Sequence, residues 1–449
     1  MALPFDRIDG GRDRMAHFPS FLRIPIEIPV EQHAAGVPSM WMEVLLGVQL
    51  LAIKFNHDPT GSTHEALNLR RNATEFVNVP EWERGVSVNP EDSPAAYAVR
   101  QVRGHVVTIQ AKFRRRGTLP QPLEIRALDA TIDRPGAGGC VSFVRRVLRS
   151  LFRSLFGGVL GEAAARTVAF GVSGESAFES FDLRYTRLDW MPVGVHTVTW
   201  RWQYRTSPGD RWVDFDLTRH RVYVLVDTPA DPWQQAPYTP TNTQLPWSEV
   251  LDHACDWAWG AHDETEAACG VTRGVFALGP VVVTYDCPGG GGTHYALGGF
   301  NCTAFVERLR GGPGNGYYVN CTDCATFVAT FANTLGCDLW QSRMGYGFGL
   351  NPLLAIGSGT WQPACGWSGF SYHEVAWTGA CDVNDHVFDA CLEVDADADP
   401  TSLPHTPLLP CDMRFGNAGD GDYRDRLATP AGSPACDVQP STRQRRIIF

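Results

Sequence analysis

Residues 316–340 read GYYVNCTDCATFVATFANTLGCDLW, and the rest of the chain is organised around them. From Ala325 onward, Phe327, Val328, Phe331, Ala332 and Leu335 recur at the three-to-four spacing of an amphipathic helix, which predicts one buried face. Gly336 stands where a left-handed residue would end that helix. Asn320, Thr322 and Asp323 each suit an N-cap, so Cys321 falls at the helix N-terminus. Unpaired backbone N–H groups and the helix dipole favour an anion there, and a thiol so placed ionises more readily than a free one. The expectation is a nucleophilic thiolate.

Such a nucleophile needs a proton carrier and a group to orient it. His373 lies in FSYHEVAW (370–377), whose alternation predicts a strand. Asp389 follows sixteen residues later in DHVFDACLEVD (385–395), which also alternates as a strand. The connecting loop, 378–384, contains Gly379 and Asn384, so the two strands form a hairpin, and cross-strand neighbours on one face can bring an imidazole to a carboxylate. His386 alternates onto the face opposite Asp389 and is the weaker histidine.

These residues resemble the transglutaminase-like superfamily with its papain-like core. The matching pieces are Cys321, Asp323, Ala325 and the Leu335-Gly336 pair, then His373 with Trp377 downstream, then Asp389. The resemblance spans roughly residues 247–410. It implies an α+β catalytic domain and cysteine-dependent acyl chemistry on protein or peptide amides through a thioester, with Cys321, His373 and Asp389 as the catalytic set. The outcome would be transfer to an amine or hydrolysis, as in an amidase or protease. For the oxyanion, the backbone N–H of Cys321 is the natural donor at a helix start, and Tyr285 and Tyr295 are candidate helpers.

Two other readings compete. Cys321 and Cys324 form a Cys-x-x-Cys pair at a helix start, the arrangement of a thiol-disulfide oxidoreductase, although no long strand precedes Asn320 as that setting requires. The chain could also be a non-enzymatic interaction or structural protein that keeps the fold without the activity. Within the first reading, Asn301-Cys302-Thr303 echoes Asn320-Cys321-Thr322 and makes Cys302 a rival nucleophile, on a helix that Gly311 and Gly312 would cut short.

At 449 residues, 44% apolar and 19% charged, the chain has material for two or three domains with real cores. The net charge is −11 and uneven, with 10 Arg against 23 Asp or Glu from residue 247 onward. An acidic catalytic half argues against a nucleic-acid partner. Twelve of the thirteen cysteines lie at or after Cys255, but Cys321, Cys324, Cys381 and Cys391 do not complete a four-ligand zinc site with His373 or His386. No metal and no cofactor is expected. No run of about 18 apolar residues is present, so no transmembrane segment is predicted. The N-terminus carries Asp and Arg where a signal peptide needs an apolar core, which suggests a cytoplasmic protein or one exported by a non-classical route.

Residues 1–20 read as an irregular arm. Residues 21–227 carry short alternating runs separated by turns, most clearly VHTVTWRWQYR (195–205), and predict an all-β, sandwich-like domain that would meet a partner protein or assembly. A helical insertion is expected at about 140–165, where CVSFVRRVLRSLFRSLFGGVL (140–160) sets an apolar stripe against Arg145, Arg146, Arg149 and Arg153, a face for a membrane surface or an acidic partner. Residues 228–246 hold five prolines and read as a semi-rigid linker. Residues 289–292, four glycines, read as a mobile rim of the cleft. Residues 411–449 read as a C-terminal extension, its last residues frayed or a docking peptide.

Overall fold

A computed structural model describes residues 47–57, 64–130, 158–239 and 241–449. The expected arm (1–20) and the arginine-bearing stretch with Arg145, Arg146, Arg149 and Arg153 lie outside these residues. Within them the fold is mixed α+β and rich in strands.

The N-terminal part is one sheet of nine strands: β1 (Gly47–Lys54), β2 (Trp82–Glu83), β3 (Pro94–Ala98), β4 (Thr108–Arg116), β5 (Leu123–Asp129), β6 (Glu162–Val168), β7 (Glu179–Arg184), β8 (Gly194–Arg205) and β9 (Val213–Leu225). Their order is β2-β1-β4-β7-β6-β5-β8-β9-β3. The prediction of separate stacked sheets is corrected here, because the β6–β7 pairing hydrogen-bonds the two halves into a continuous, curled surface. Register shifts at Leu50/Ala52, Ile125/Ala127 and Trp202/Gln203 supply the bends that let it curl. The inside of the curl is filled by Leu50, Ile109, Phe113, Ile125, Trp200 and Trp202, all fully buried. Phe113 of β4 meets Trp202 of β8 edge-on at 5.5 Å, so the two halves share one core. Residues 162–165, the end of the expected helical insertion, are strand.

The β3–β9 edge is buried on both faces. Val222 and Val224 face the curl, while Tyr223 and Leu225 belong to the second core with Val250, Leu251 and Ala254. Those last three sit on α1 (Ser248–Trp257), which is tied to β9 through Tyr223 Oη and Arg221 Nη2, both donating to Asp252 at 2.6 Å. Trp247 is its N-cap. Ser248 is the first helical residue. The described residues pack as one compact unit. The described residues of the proline-rich stretch, 228–239 and 241–246, run against the helices. Trp233 is buried there and donates from Nε1 to Thr330 O at 2.8 Å, and Ala230 N donates to Asn333 O at 2.9 Å.

Three further helices, α2 (Glu264–Phe276), α3 (Cys302–Leu309) and α4 (Cys321–Thr334), pack with α1. Helix α4 is buried at every one of its 14 residues, not along one face as its periodicity predicts. Phe327 stacks on Phe305 of α3 at 3.6 Å and Phe331 meets Trp257 of α1 at 5.1 Å. The polar residues on the other sides are tolerated because several are bonded: Asn333 donates to Asp231 O and Leu339 O and accepts from Leu339 N. Gly336 follows the helix at φ 93, and a Cβ there would lie 2.5 Å from the Asp227 backbone, so only glycine fits.

Against α4 lies a five-stranded antiparallel sheet. Two short strands, β10 (Thr284–Tyr285) and β11 (Tyr318–Val319), precede it in the chain. Its members are β12 (Trp340–Met344), β13 (His373–Trp377), β14 (His386–Phe388), β15 (Cys411–Arg414) and β16 (Val438–Gln444), in the order β15-β14-β13-β12-β16. Both outer strands come from residues 411–449, so that segment is built into the sheet and its end is docked: Phe300 N donates to Ile447 O at 2.7 Å and Phe449 N to Phe300 O at 3.0 Å. Between β15 and β16 runs a short helix, α5 (Tyr423–Leu427). Disulfides join Cys269 to Cys411 and Cys287 to Cys365. Among the described residues, no helix is long and apolar enough to cross a membrane.

Candidate active site

The N-terminus of α4 is set by a reciprocal cap. Asn320 Oδ1 accepts from Asp323 N at 3.0 Å, and the Asp323 carboxylate accepts from Asn320 N at 3.2 Å. Asp323 is fully buried and takes three more backbone N–H groups, from His294, Tyr295 and Ala296, at 2.8–3.0 Å. Burial still raises its carboxyl above the ordinary range, against the pull of those donors. The effect is to clamp residues 294–296 onto the start of the helix. Cys321 is the first helical residue, so its backbone N–H has no intrahelical acceptor. Its residue exposure is 5%, a narrow opening, and it forms no disulfide.

His373 begins β13 and is completely buried. Its Nε2 lies 3.0 Å from Asp389 Oδ2. The other ring nitrogen, Nδ1, is buried with no hydrogen-bond partner among the described residues, and Cys321 joins Asp389 in favouring the charged ring. Burial pulls the imidazolium pKa down, but Asp389 and Cys321 together outweigh it and push it up to about 10. Phe370 stacks on the ring at 5.5 Å and fixes its plane.

Asp389 does not lie within a strand. The run 385–395, predicted as one strand, breaks into β14 and a second strand at Leu392–Asp395, and Asp389 occupies the break. The physical reason is its own side chain: Oδ1 accepts from Cys391 N at 2.7 Å, a local bond that competes with the ladder. Register pairs Ala376 with Phe388, which puts Asp389 diagonal to His373 across the hairpin. Oδ2 also accepts from Tyr423 Oη at 2.8 Å. Tyr423, from α5, is a participant the sequence reading missed. Nothing in its spacing marks it, since it sits 34 residues beyond Asp389.

The two tyrosines separate. Tyr285 is buried near the thiol, and burial first, then the charge of Cys321, push its hydroxyl far above the ordinary value. It also meets Trp367 at 6.1 Å, and Trp367 meets Phe370 at 6.4 Å, so these rings form a wall leading to His373. Tyr295 serves the scaffold instead. Its hydroxyl donates to Gly316 O at 2.6 Å and its ring packs on Phe305 and Phe327.

The glycine stretch 289–292 is braced rather than loose. The Asp286 carboxylate accepts from Gly289 N and Gly292 N and pairs with His294 Nε2 at 3.0 Å, while the Cys287–Cys365 disulfide ties this loop to the one carrying Trp367. Asn320 Nδ2 adds a bond to Gly291 O at 2.8 Å.

The other candidates fall away from the thiol. Cys324 and Cys391 are buried, and burial raises both thiols. Cys302 is the first residue of α3, capped by Asn301, and lies inside the core, where burial pushes its thiol well up. His386 pairs with Asp412 at 2.7 Å on the half-exposed side of the sheet. Among the described residues, no group of three or more His, Cys, Asp or Glu is arranged to hold a metal ion. The acidic run 395–399 is turned inward on itself, with Asp395 bonded to Asp397 N, Thr406 N and His405.

Neither a protein-family model nor a curated protein matches the sequence. A solved structure of red sea bream transglutaminase matches over 69% of this chain and 51% of that chain, at 12% identity and a TM-score of 0.29. This chain therefore spans about half the length of that structure.

Proposed function

We propose that the protein is a cysteine-dependent acyl transferase or hydrolase acting on protein or peptide amides. The observation that carries this reading is the fully buried His373, bonded to Asp389 at 3.0 Å through Nε2, with Cys321 near enough to favour its charged form. A structural histidine in a core is seldom paired with a buried carboxylate within electrostatic reach of a thiol at a helix start.

In this mechanism Cys321 Sγ attacks the amide carbonyl carbon and a C–S bond forms. The resulting oxyanion is met by the Cys321 backbone N–H, with Tyr285 as the nearest side-chain candidate for a second donor. The C–N bond then breaks, and the amine leaves with the proton carried by His373. Water or a primary amine next attacks the thioester, gives its proton to His373 and releases the sulfur. Asp389, held by Tyr423 and the Cys391 N–H, keeps the imidazole oriented throughout.

The test is to trap the acyl-enzyme. With a mixed glutamine-containing peptide pool and hydroxylamine, the wild type forms peptide hydroxamate and Cys321→Ala does not. Equal hydroxamate from both proteins would refute the proposal.

A further inference from the structure

Beside the start of α4 a groove of about 520 Å³ opens between residues 293–299 and the C-terminal strand. Its lining includes Thr322, Arg343, Arg445 and Arg446, and no acidic side chain. Thr322 follows Cys321 in the chain, and Met344, next to Arg343, pairs across the sheet with His373. Thr322 Oγ1 and Arg343 Nε share Glu374 Oε2, at 2.9 and 3.4 Å, so Arg343 stands beside the residue that follows Cys321, on the sheet face opposite His373.

The three arginines are not equivalent. Arg445 is spent on Leu339 O and Asp338 and lies over Trp340. Arg446 Nη1 is held by Thr326, Gln341 and Glu374. Arg343 is tethered only from behind: Nε donates to Glu374 Oε2 at 3.4 Å and the guanidinium lies 4.3 Å over the Tyr372 ring. Its Nη1 and Nη2 have no acceptor among the described residues, and its side chain is 39% exposed. Fixing Nε while leaving both terminal nitrogens open presents the two-pronged Nη1/Nη2 edge that takes a carboxylate end-on. Glu374 gives one negative charge to both Arg343 and Arg446, so the cluster keeps an excess of positive charge on a chain whose net charge is −11. A local field of that sign draws anions toward the thiol.

We propose that Arg343 forms a carboxylate subsite, so that the amide attacked by Cys321 belongs to a peptide carrying a carboxylate beside it. The carboxylate is an acidic side chain or a free C-terminus. This rests on Cys321 being the nucleophile.

Four alkylating probes separate the possibilities: N-bromoacetylglycine, with a terminal carboxylate; N-bromoacetylglutamic acid α-amide, with a side-chain carboxylate; and their uncharged counterparts, N-bromoacetylglycinamide and N-bromoacetylglutaminamide. In each the Cys321 C–S bond replaces C–Br and bromide leaves. The measured quantity is the Cys321 labelling rate of each acid divided by that of its amide. For at least one pair this ratio exceeds that of free cysteine by about tenfold, one charge-assisted hydrogen bond's worth, and the pair that does so identifies the source. It collapses toward the free-cysteine value in Arg343→Gln, recovers partly in Arg343→Lys, and falls in 1 M NaCl for the wild type, a readout independent of variant folding. A ratio equal to that of free cysteine for both pairs, or one unchanged in Arg343→Gln, overturns the subsite. If none of the probes labels Cys321, the nucleophile itself is wrong and the subsite falls with it.

Discussion

The hydroxyl of Thr322 donates to Glu374 Oε2 at 2.9 Å, which joins the residue after the candidate nucleophile to the residue after its histidine. Glu374 is fully buried and is neutralised from the C-terminal segment by Arg446 Nη1 at 2.6 Å. The spacing of helix α4 from strand β13 therefore depends on a side chain contributed 72 residues downstream of Glu374.

Arg446→Met strands that carboxylate in the core. Removing one partner of a buried pair costs about 3–5 kcal/mol. Denaturant unfolding checks this, and because Thr322 and Glu374 are in the same network, Glu374→Gln combined with Arg446→Met costs less than the two single changes added. A loss below about 1 kcal/mol for Arg446→Met would mean that the pair does not brace the site.

Asp389→Asn keeps the shape around His373 but removes the charge that orients it, and kcat is expected to fall by about 10²- to 10⁴-fold. Tyr423→Phe deletes one hydrogen bond to the same oxygen and costs about fivefold to tenfold in kcat. Since Tyr423 acts through Asp389, the double variant is no slower than Asp389→Asn alone. Multiplied losses would place Tyr423 outside this chain of contacts.

The pH dependence follows from His373. Its folded pKa, about 10, exceeds the ordinary 6.5, so its charged form stabilises the fold fully below pH 6.5 and that contribution is lost as pH rises toward 10. The imidazolium that protonates the leaving amine persists over the same window. Activity should accordingly show an alkaline limb near pH 10, absent from the residual rate of His373→Gln, and a limb near pH 6.5 would contradict the buried coupling.

At the other end of the molecule, His220 makes the curled sheet acid-sensitive. Its ring is buried against Phe55 at 4.9 Å and Trp200 at 5.4 Å, and burial lowers its pKa to about 3. The sign is the reverse of His373: stability is intact above pH 6.5 and is lost as pH falls toward 3, because the unfolded chain takes up the proton first. The slope approaches about 1.4 kcal/mol per pH unit within that window, and urea midpoints between pH 7 and 4 should flatten in His220→Gln.

Much of the site was readable from local pattern. The apolar spacing after Ala325 and the cap around Asn320 locate α4, and the two alternating runs locate the hairpin, because helix and strand periods are written within a few residues of sequence. What escaped is non-local. The break at Asp389, the Tyr423 contact and the Arg446–Glu374 pair arise from side chains brought together by folding, and no spacing encodes them. The same holds for the N-terminal sheet, where alternation identifies the strands but the bulges at Leu50/Ala52 and Trp202/Gln203 that curl it are set by tertiary packing. The complete burial of α4 also exceeds its pattern, since Thr326 and Asn333 look solvent-facing until their partners are known.

Reactivity of the thiol tests the central claim most directly. Limiting iodoacetamide at pH 6, followed by peptide mapping, should carbamidomethylate Cys321 ahead of the other free cysteines among the described residues, Cys255, Cys302, Cys324, Cys337, Cys381, Cys391 and Cys436. Labelling of Cys321 should also drop at least about tenfold in His373→Gln, which excludes simple exposure as the cause. No preference for Cys321, or equal labelling with and without the imidazole, would contradict the account.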